Sequence, residues 1–376
     1  MRPLYFDYNA TTPILPRVYE AMRPYLTEHF GNPGSGHLWG LKAKRGAELA
    51  REQVAGLINC APGEVYFTSC ATESDNWALL GLGLARPGAH VVISAIEHPA
   101  IVECAAYLER CGARVSRVGV DEQGLVDPAA VRAACASGAD LISVMLANNE
   151  TGALQPVAEI AAWARKQGIP VHSDAAQAVG KVPVDVAALG VDLLTIAGHK
   201  LYAPKGVGAL YVRQGLELAP LLWGGGQERG RRSGTENVPY MVALGEACAL
   251  AAEDLPGEMA RQRELGRVFL EGLGALDVDW RLYSERAPRL PGTAAVGFKG
   301  LNAGDIISGL VVLDVGVSAG AACHGDTTVV SHVLAAMGVP LEYAQGTIRF
   351  SWGRPTSQDD VRELVRRLGQ ALGALA

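Results

Sequence analysis

No run of about 20 apolar residues, the length needed to span a bilayer, occurs anywhere in the sequence. The start, MRPLYFDYNATTPILP, has neither the basic n-region nor the apolar h-region of a secretory signal, so a cytoplasmic location is expected. No lysine or arginine cluster suggests attachment to an anionic membrane, and a net charge of −6 leaves no basic footprint for nucleic acid. Chemistry on a small molecule becomes the default expectation. The seven cysteines (Cys60, Cys70, Cys104, Cys111, Cys135, Cys248 and Cys323) are odd in number and contain no CxxC pair. That pattern fits reduced thiols rather than a disulfide framework or a zinc site, and no metal is expected. Internal repeats, low-complexity tracts and disordered linkers are also missing.

What is present is enough apolar residue, 49% of 376, to bury at least one large core and more readily two. Strand-like runs alternate with helical ones: EVYFTS, a helix from about 74 to 84, HVVISA, a helix over 99–111, RVSRVGV, a helix over 127–136, LISVML, a helix over 156–167, PVHSD, LLTIAG and GALYVR. This order predicts an α/β fold with a mainly parallel sheet covered by helices. From about Val238 the pattern changes to long amphipathic helix with a break near Pro256, where a new domain is expected. Apolar strands at GTAAVGF and GTIRFSW, with helices near 302–312, 328–337 and 357–375, predict a smaller α+β unit. The expected division is a large domain over 16–250, with 1–15 and 251–376 forming the small one.

Three stretches carry chemistry. In FTSCATESDNWALLGL, residues 67–82, a strand runs into small and hydroxyl residues and then a helix, whose first backbone N–H groups and Thr72 would suit a phosphate dianion. An ordinary N-cap by Ser69, Thr72 or Ser74 reads the same stretch equally well. HSDAAQAVGK, residues 172–181, puts Asp174 at a strand end, where open α/β sheets bind ligands, although an aspartate there also caps helices. AGHKLYAPKG, residues 197–206, puts Lys200 between two apolar runs, where an amine is expensive unless it has a partner or a purpose. A phosphate cradle, a strand-end aspartate and such a lysine together suit pyridoxal 5′-phosphate. The amine forms a Schiff base with its aldehyde, and the aspartate pairs with its ring nitrogen. A structural ion pair at Lys200 leaves the other two parts unexplained.

The ordered set YFDYNATTP (5–13), GNPGSGH, FTSCATES, EHPA, NNETG, HSDAAQ, GHK, GGGQERGRRSGTEN, SAGAACHGD and IRFSWGR (348–354) resembles the pyridoxal phosphate-dependent cysteine desulfurases. These are fold-type I enzymes of the class-V aminotransferase group, with the selenocysteine lyases as close relatives. The resemblance implies a seven-stranded large domain, the cofactor on Lys200, and His98 stacked on its ring and moving protons. It also implies Asn149 and Gln177 at the ring oxygen, and Ala71, Thr72 and His199 near the phosphate. Thr235 would reach the phosphate from the second subunit of a homodimer. Arg349 would grip the substrate carboxylate, a task for a guanidinium rather than an amine, with Asn9 and Arg354 as further substrate-side candidates.

Cys323, beside His324, would take sulfur from cysteine as a persulfide, leave alanine, and pass the sulfur to an acceptor protein. Two residues depart from the family pattern. Ala197 stands where serine is frequent, with Thr195 the candidate to replace its hydrogen bond, and Cys70 stands where glycine is frequent, with no role assigned. AACHGD and MLANNETG look more like the selenocysteine lyase version, so selenocysteine remains an alternative substrate. An aminotransferase or a C–S lyase on the same fold is a further alternative, and a non-catalytic sulfur carrier is the reading from outside enzymology.

Overall fold

The computed structural model describes residues 2–85, 87–319 and 330–375. Strand β1 (Leu4–Tyr5) opens the chain, and helices Pro16–Thr27 and Leu38–Ile58 lead to the central strands. These are β2 (Val65–Thr68), β3 (His90–Ser94), β4 (Arg114–Val118), β5 (Leu141–Ser143), β6 (Val171–Asp174), β7 (Leu193–Ala197) and β8 (Gly208–Val212). They form one sheet in the order β2-β8-β7-β6-β5-β3-β4, in which only β8 runs against its neighbours. The expected mainly parallel, helix-covered sheet is therefore present.

Runs such as HVVIS and LLTIA are buried along their whole length, because helices cover both faces and no polar alternation is needed. At the edge, β4 carries Arg114 and Arg117 on exposed positions, which discourages further strand pairing. Gly208 opens β8 where a Cβ would come within 2.8 Å of the Cys70 carbonyl carbon and the Ile196 oxygen. Only glycine lets β8 slot between β2 and β7 at that end.

Several helix boundaries fall slightly inside the expected ones because a polar residue at the start serves as a cap, whereas Ala71–Gly83 begins ahead of its expected start near 74. Asp127 accepts from the Ala129 amide ahead of Pro128–Ala134, and Ser357 forms a capping box with Asp360 ahead of Gln358–Gly373. Ser331 caps His332–Ala336, so the helix expected over 328–337 is shorter where it is described. The long helical stretch after Val238 divides at Asp254, whose carboxylate caps Leu255–Gly274. The first half, Val238–Glu253, packs Met241, Leu244 and Cys248 into the core under the large sheet. The second half gives Leu265, Phe269 and Leu273 to a different core. The change of pattern at Val238 thus precedes the change of core by a whole helix.

That second core is built around strands β9 (Trp280–Leu282), β10 (Thr293–Phe298), β12 (Ser318–Ala319) and β13 (Thr347–Ser351), an antiparallel sheet in the order β12-β13-β10-β9. β1 pairs in parallel with β11 (Val315–Gly316), and Asp7 bridges to Ser351. Leu4 and Phe6 are buried in this core, which anchors the N-terminal segment there and delivers residues 7–12 to the large sheet. No helix among the described residues is long and apolar enough to cross a membrane.

Candidate active site

Because β2, β3, β5, β6 and β7 are parallel, their carboxyl ends share one edge of the sheet. Open α/β sheets bind ligands at that edge. A cavity of about 300 Å³ lies there, lined among others by Asn9, Cys70, Ala71, Thr72, Asp75, His98, Asn149, Asp174, Gln177, Ala197, His199, Lys200 and Arg349. The topology therefore brings together most of the residues expected from sequence.

Lys200 follows β7 in a tight turn, and its Nζ donates to the carbonyls of Asn9 at 2.5 Å and Ala10 at 2.8 Å. Burial, reinforced by the Arg349 guanidinium, pushes its pKa down to about 8 against the opposing pull of Asp174 and Asp7. A fair fraction of the amine is consequently neutral, hence nucleophilic and basic, near neutral pH. Asp174 ends β6 and accepts from the Ala176 amide at 2.8 Å, so it caps a turn and lines the cavity at once. Burial raises its pKa, while His98 and Lys200 oppose the shift. His98 caps Pro99–Arg110 through Nδ1, which accepts from the Ala100 amide at 3.1 Å. That bond leaves Nε2 as the nitrogen able to carry a proton, and desolvation lowers the ring's pKa.

At the start of the helix Ala71–Gly83, Cys70 is the N-cap residue but makes no side-chain cap. The Ala71 and Thr72 positions line the cavity, so the positive end of this helix is offered to whatever binds there. Glu73, on the same turn, is drawn aside into an ion pair with Arg232 at 2.8 Å and would not repel an anion fully. His199 lines the same region, its Nδ1 lying 3.2 Å from the Thr11 hydroxyl, with burial pushing its pKa down to about 4.

Arg349 lies on β13, facing the cavity. Its Nη2 pairs with Asp7 at 2.8 Å, its Nη1 donates to the Asn149 carbonyl at 3.1 Å, and its buried Nε has no partner. A buried, unpartnered guanidinium N–H beside the cavity is a donor looking for an anion. Asn9 is held differently from expectation. Its amide donates to Thr293 and to the Asn149 carbonyl and accepts from Lys181, so its side chain builds the framework rather than waiting for substrate.

Two expected contacts lie elsewhere, and a third residue, Thr235, is expected to serve a partner's site rather than this one. Arg354 is absent from the cavity lining and donates to the Leu250 carbonyl at 3.1 Å, because it follows the end of β13 rather than facing inward from it. Thr195 sits two residues deeper than Ala197 on the same face of β7, and its hydroxyl meets His172 at 3.0 Å, so it cannot stand in for the missing serine. Thr235 is exposed in a separate hollow with Ser69, Arg232 and Asn237. Cys323 and His324 lie outside the described residues.

Sequence reasoning passed over four charged groups at the site. Asp7 sits inside the YFDYNATTP motif yet its pairing with Arg349 has no local signature. Asp75 lines the cavity with both oxygens buried, Oδ1 lying 3.7 Å from His172 Nε2, and burial raises its pKa. Glu97 accepts from Ser94 and the Met145 amide while burial pushes its pKa up to about 8. Lys181 bonds Gln177 and Asn9.

Residues 4–364 match the family model described as aminotransferase class-V. The chain belongs to that family. It is 42% identical over 362 residues to the cysteine desulfurase IscS of Dictyoglomus turgidum, covering 96% of this chain and 92% of the relative. It is 41% identical over 366 residues to the protein of the same name from Methanosarcina thermophila, covering 97% and 90%. Among solved structures, a NifS-like protein superposes with a TM-score of 0.93 at 35% identity, over 99% of this chain and all of that one. A structure described as SspA in complex with cysteine superposes with a TM-score of 0.82 at 36% identity, over 93% of this chain and 98% of the other. The class-V fold-type I architecture is thus common to this chain and its relatives.

Proposed function

We propose that this protein is a pyridoxal 5′-phosphate-dependent cysteine desulfurase that converts cysteine to alanine and receives the sulfur on Cys323. The observation that carries the reading is a half-buried lysine amine with a pKa near 8, sharing one strand-edge cavity with Asp174, His98 and a buried guanidinium. The names of the relatives support the same chemistry.

The residues fit the cofactor. Lys200 would hold its aldehyde carbon, Asp174 its ring nitrogen, His98 its ring face, Asn149 and Gln177 its ring oxygen, and Ala71, Thr72 and His199 its phosphate. When bound, the cofactor supplies an electron sink for the bonds broken at the substrate's carbons. Arg349, aligned by Asp7, binds the substrate carboxylate through its spare N–H groups. The Lys200 amine would take the α-proton, its lowered pKa keeping it able to do so near neutrality. His98, anchored through Nδ1, moves a proton at Nε2. The Cys323 thiolate attacks the substrate sulfur, so an S–S bond forms as the Cβ–S bond breaks. The electron pair of that bond goes to the carbon side, which takes a proton and leaves as alanine.

The working unit in this reading is a homodimer in which Thr235 reaches the partner's phosphate site. Its position outside the cavity of its own chain, together with exposed Leu38, Trp39 and Trp223, supports that arrangement. An acceptor protein would then take the sulfur. Borohydride reduction of the holoenzyme, followed by peptide mapping, tests the reading. The cofactor is expected on Lys200, and label on any other lysine would overturn it.

A further inference from the structure

Lys181 lies four residues beyond Gln177 in HSDAAQAVGK, and its amine donates to two neutral amide oxygens. These are Oε1 of Gln177 at 2.6 Å and Oδ1 of Asn9 at 3.1 Å. Burial of the amine, with the Lys200 and Arg349 cations nearby, holds its pKa well below the ordinary lysine value. Lysine is a costly residue for this place, and glutamine or methionine would fill similar space without the charge. Its effect is on the orientation of its acceptors. A primary amide presents an acceptor at one end and donors at the other, and its orientation follows from its partners. With an amine against Oε1, the NH₂ group of Gln177 must point the other way. One of its N–H groups goes to the Asn9 carbonyl at 2.8 Å, and the side chain lines the cavity.

We propose that Lys181 is a positioning residue that locks the Gln177 amide with its N–H end toward the cavity, so that an anionic ring oxygen of the cofactor meets a donor and never the amide oxygen. The same amine fixes Asn9, whose Nδ2 is thereby committed to Thr293 and the Asn149 carbonyl and whose own carbonyl accepts from Lys200. Lys181 thus couples the two segments that face the cofactor ring and the lysine bearing it. This rests on the pyridoxal phosphate reading of the site.

The test is the pH titration of the holoenzyme's visible absorption band in wild type, Lys181→Met, Gln177→Leu and the double variant. A donor on the ring oxygen stabilises its anionic form, so losing it moves the titration midpoint upward, by about 0.5–1 pH unit for one hydrogen bond. Lys181→Met is expected to raise the midpoint in the wild-type background and to add nothing on top of Gln177→Leu. Equal shifts in both backgrounds mean that Lys181 acts by its charge alone, which overturns positioning; so does a midpoint unchanged by Lys181→Met while Gln177→Leu moves it. If Gln177→Leu itself leaves the midpoint in place, Gln177 does not face the ring oxygen, and the proposal falls with that placement while Lys200 labelling still stands. Should the methionine variant not fold, Lys181→Gln keeps a donor for one acceptor only. Its midpoint is then expected between wild type and Gln177→Leu, and a wild-type midpoint is the contrary result.

Discussion

Replacing Arg349 by lysine removes a planar set of donors that the structure already uses on two sides. Nη2 holds Asp7 at 2.8 Å, Nη1 holds the Asn149 carbonyl at 3.1 Å, and Nε remains buried and free. A lysine amine can keep the charge opposite Asp7, but one point donor cannot also span the two oxygens of a substrate carboxylate. The charge-assisted hydrogen bond lost is worth about 2–3 kcal/mol, the upper part of the usual range. At 1.36 kcal/mol per factor of ten, kcat/KM is expected to fall by about 30- to 150-fold. Most of the loss should appear in KM, because the carboxylate is gripped before and during reaction alike. Steady-state alanine release over a range of cysteine concentrations separates KM from kcat, with circular dichroism to confirm that the buried substitution leaves the fold intact. Wild-type kcat/KM in Arg349→Lys would show that the guanidinium only braces Asp7 and the Asn149 loop, and that the substrate carboxylate binds elsewhere.

The lowered pKa of Lys200 makes cofactor uptake pH-dependent. Only the neutral amine attacks an aldehyde, so the rate at which apoprotein takes up pyridoxal phosphate should climb with pH to a plateau with a midpoint near 8. Stopped-flow absorbance measures it, and a midpoint at the ordinary 10.5 contradicts the buried environment described for this amine. Gly208→Ala puts a Cβ 2.8 Å from the Cys70 carbonyl carbon and the Ile196 oxygen. Overpacking of this kind should cost about 1–3 kcal/mol in denaturant unfolding and weaken cofactor retention by displacing the start of the Ala71–Gly83 helix. An unchanged denaturation midpoint would mean that β8 moves aside freely.

The residues legible in the sequence are those whose role follows from a strand end and a short motif. Asp174, Lys200, Thr72 and His98 each end or follow a parallel strand, so the period of the apolar runs already puts them on one edge. What was hidden depends on distance across the chain. Asp7 and Arg349 are 342 residues apart and meet only because β1 and Ser351 tie the N-terminal segment beside β13. Asn9 is a substrate-side candidate through the family resemblance of YFDYNATTP, yet its amide is consumed by Thr293, Asn149 and Lys181. Arg354 shares the run IRFSWGR with Arg349, and only the end of β13 at Ser351 separates an inward residue from one turned toward Leu250. Lys181 closes the HSDAAQAVGK motif, where nothing local in the sequence reveals that its amine meets two amide oxygens.

The central claim, that sulfur leaves cysteine by transfer to Cys323, is tested most directly by measuring alanine release from cysteine and from selenocysteine by wild type and Cys323→Ala, with mass spectrometry of the Cys323 peptide after turnover. The account predicts efficient release from cysteine with one extra sulfur on Cys323, and loss of that release in Cys323→Ala because no nucleophile then receives the sulfur. Negligible turnover of cysteine beside rapid turnover of selenocysteine, or alanine formed from cysteine undiminished in Cys323→Ala, would contradict it.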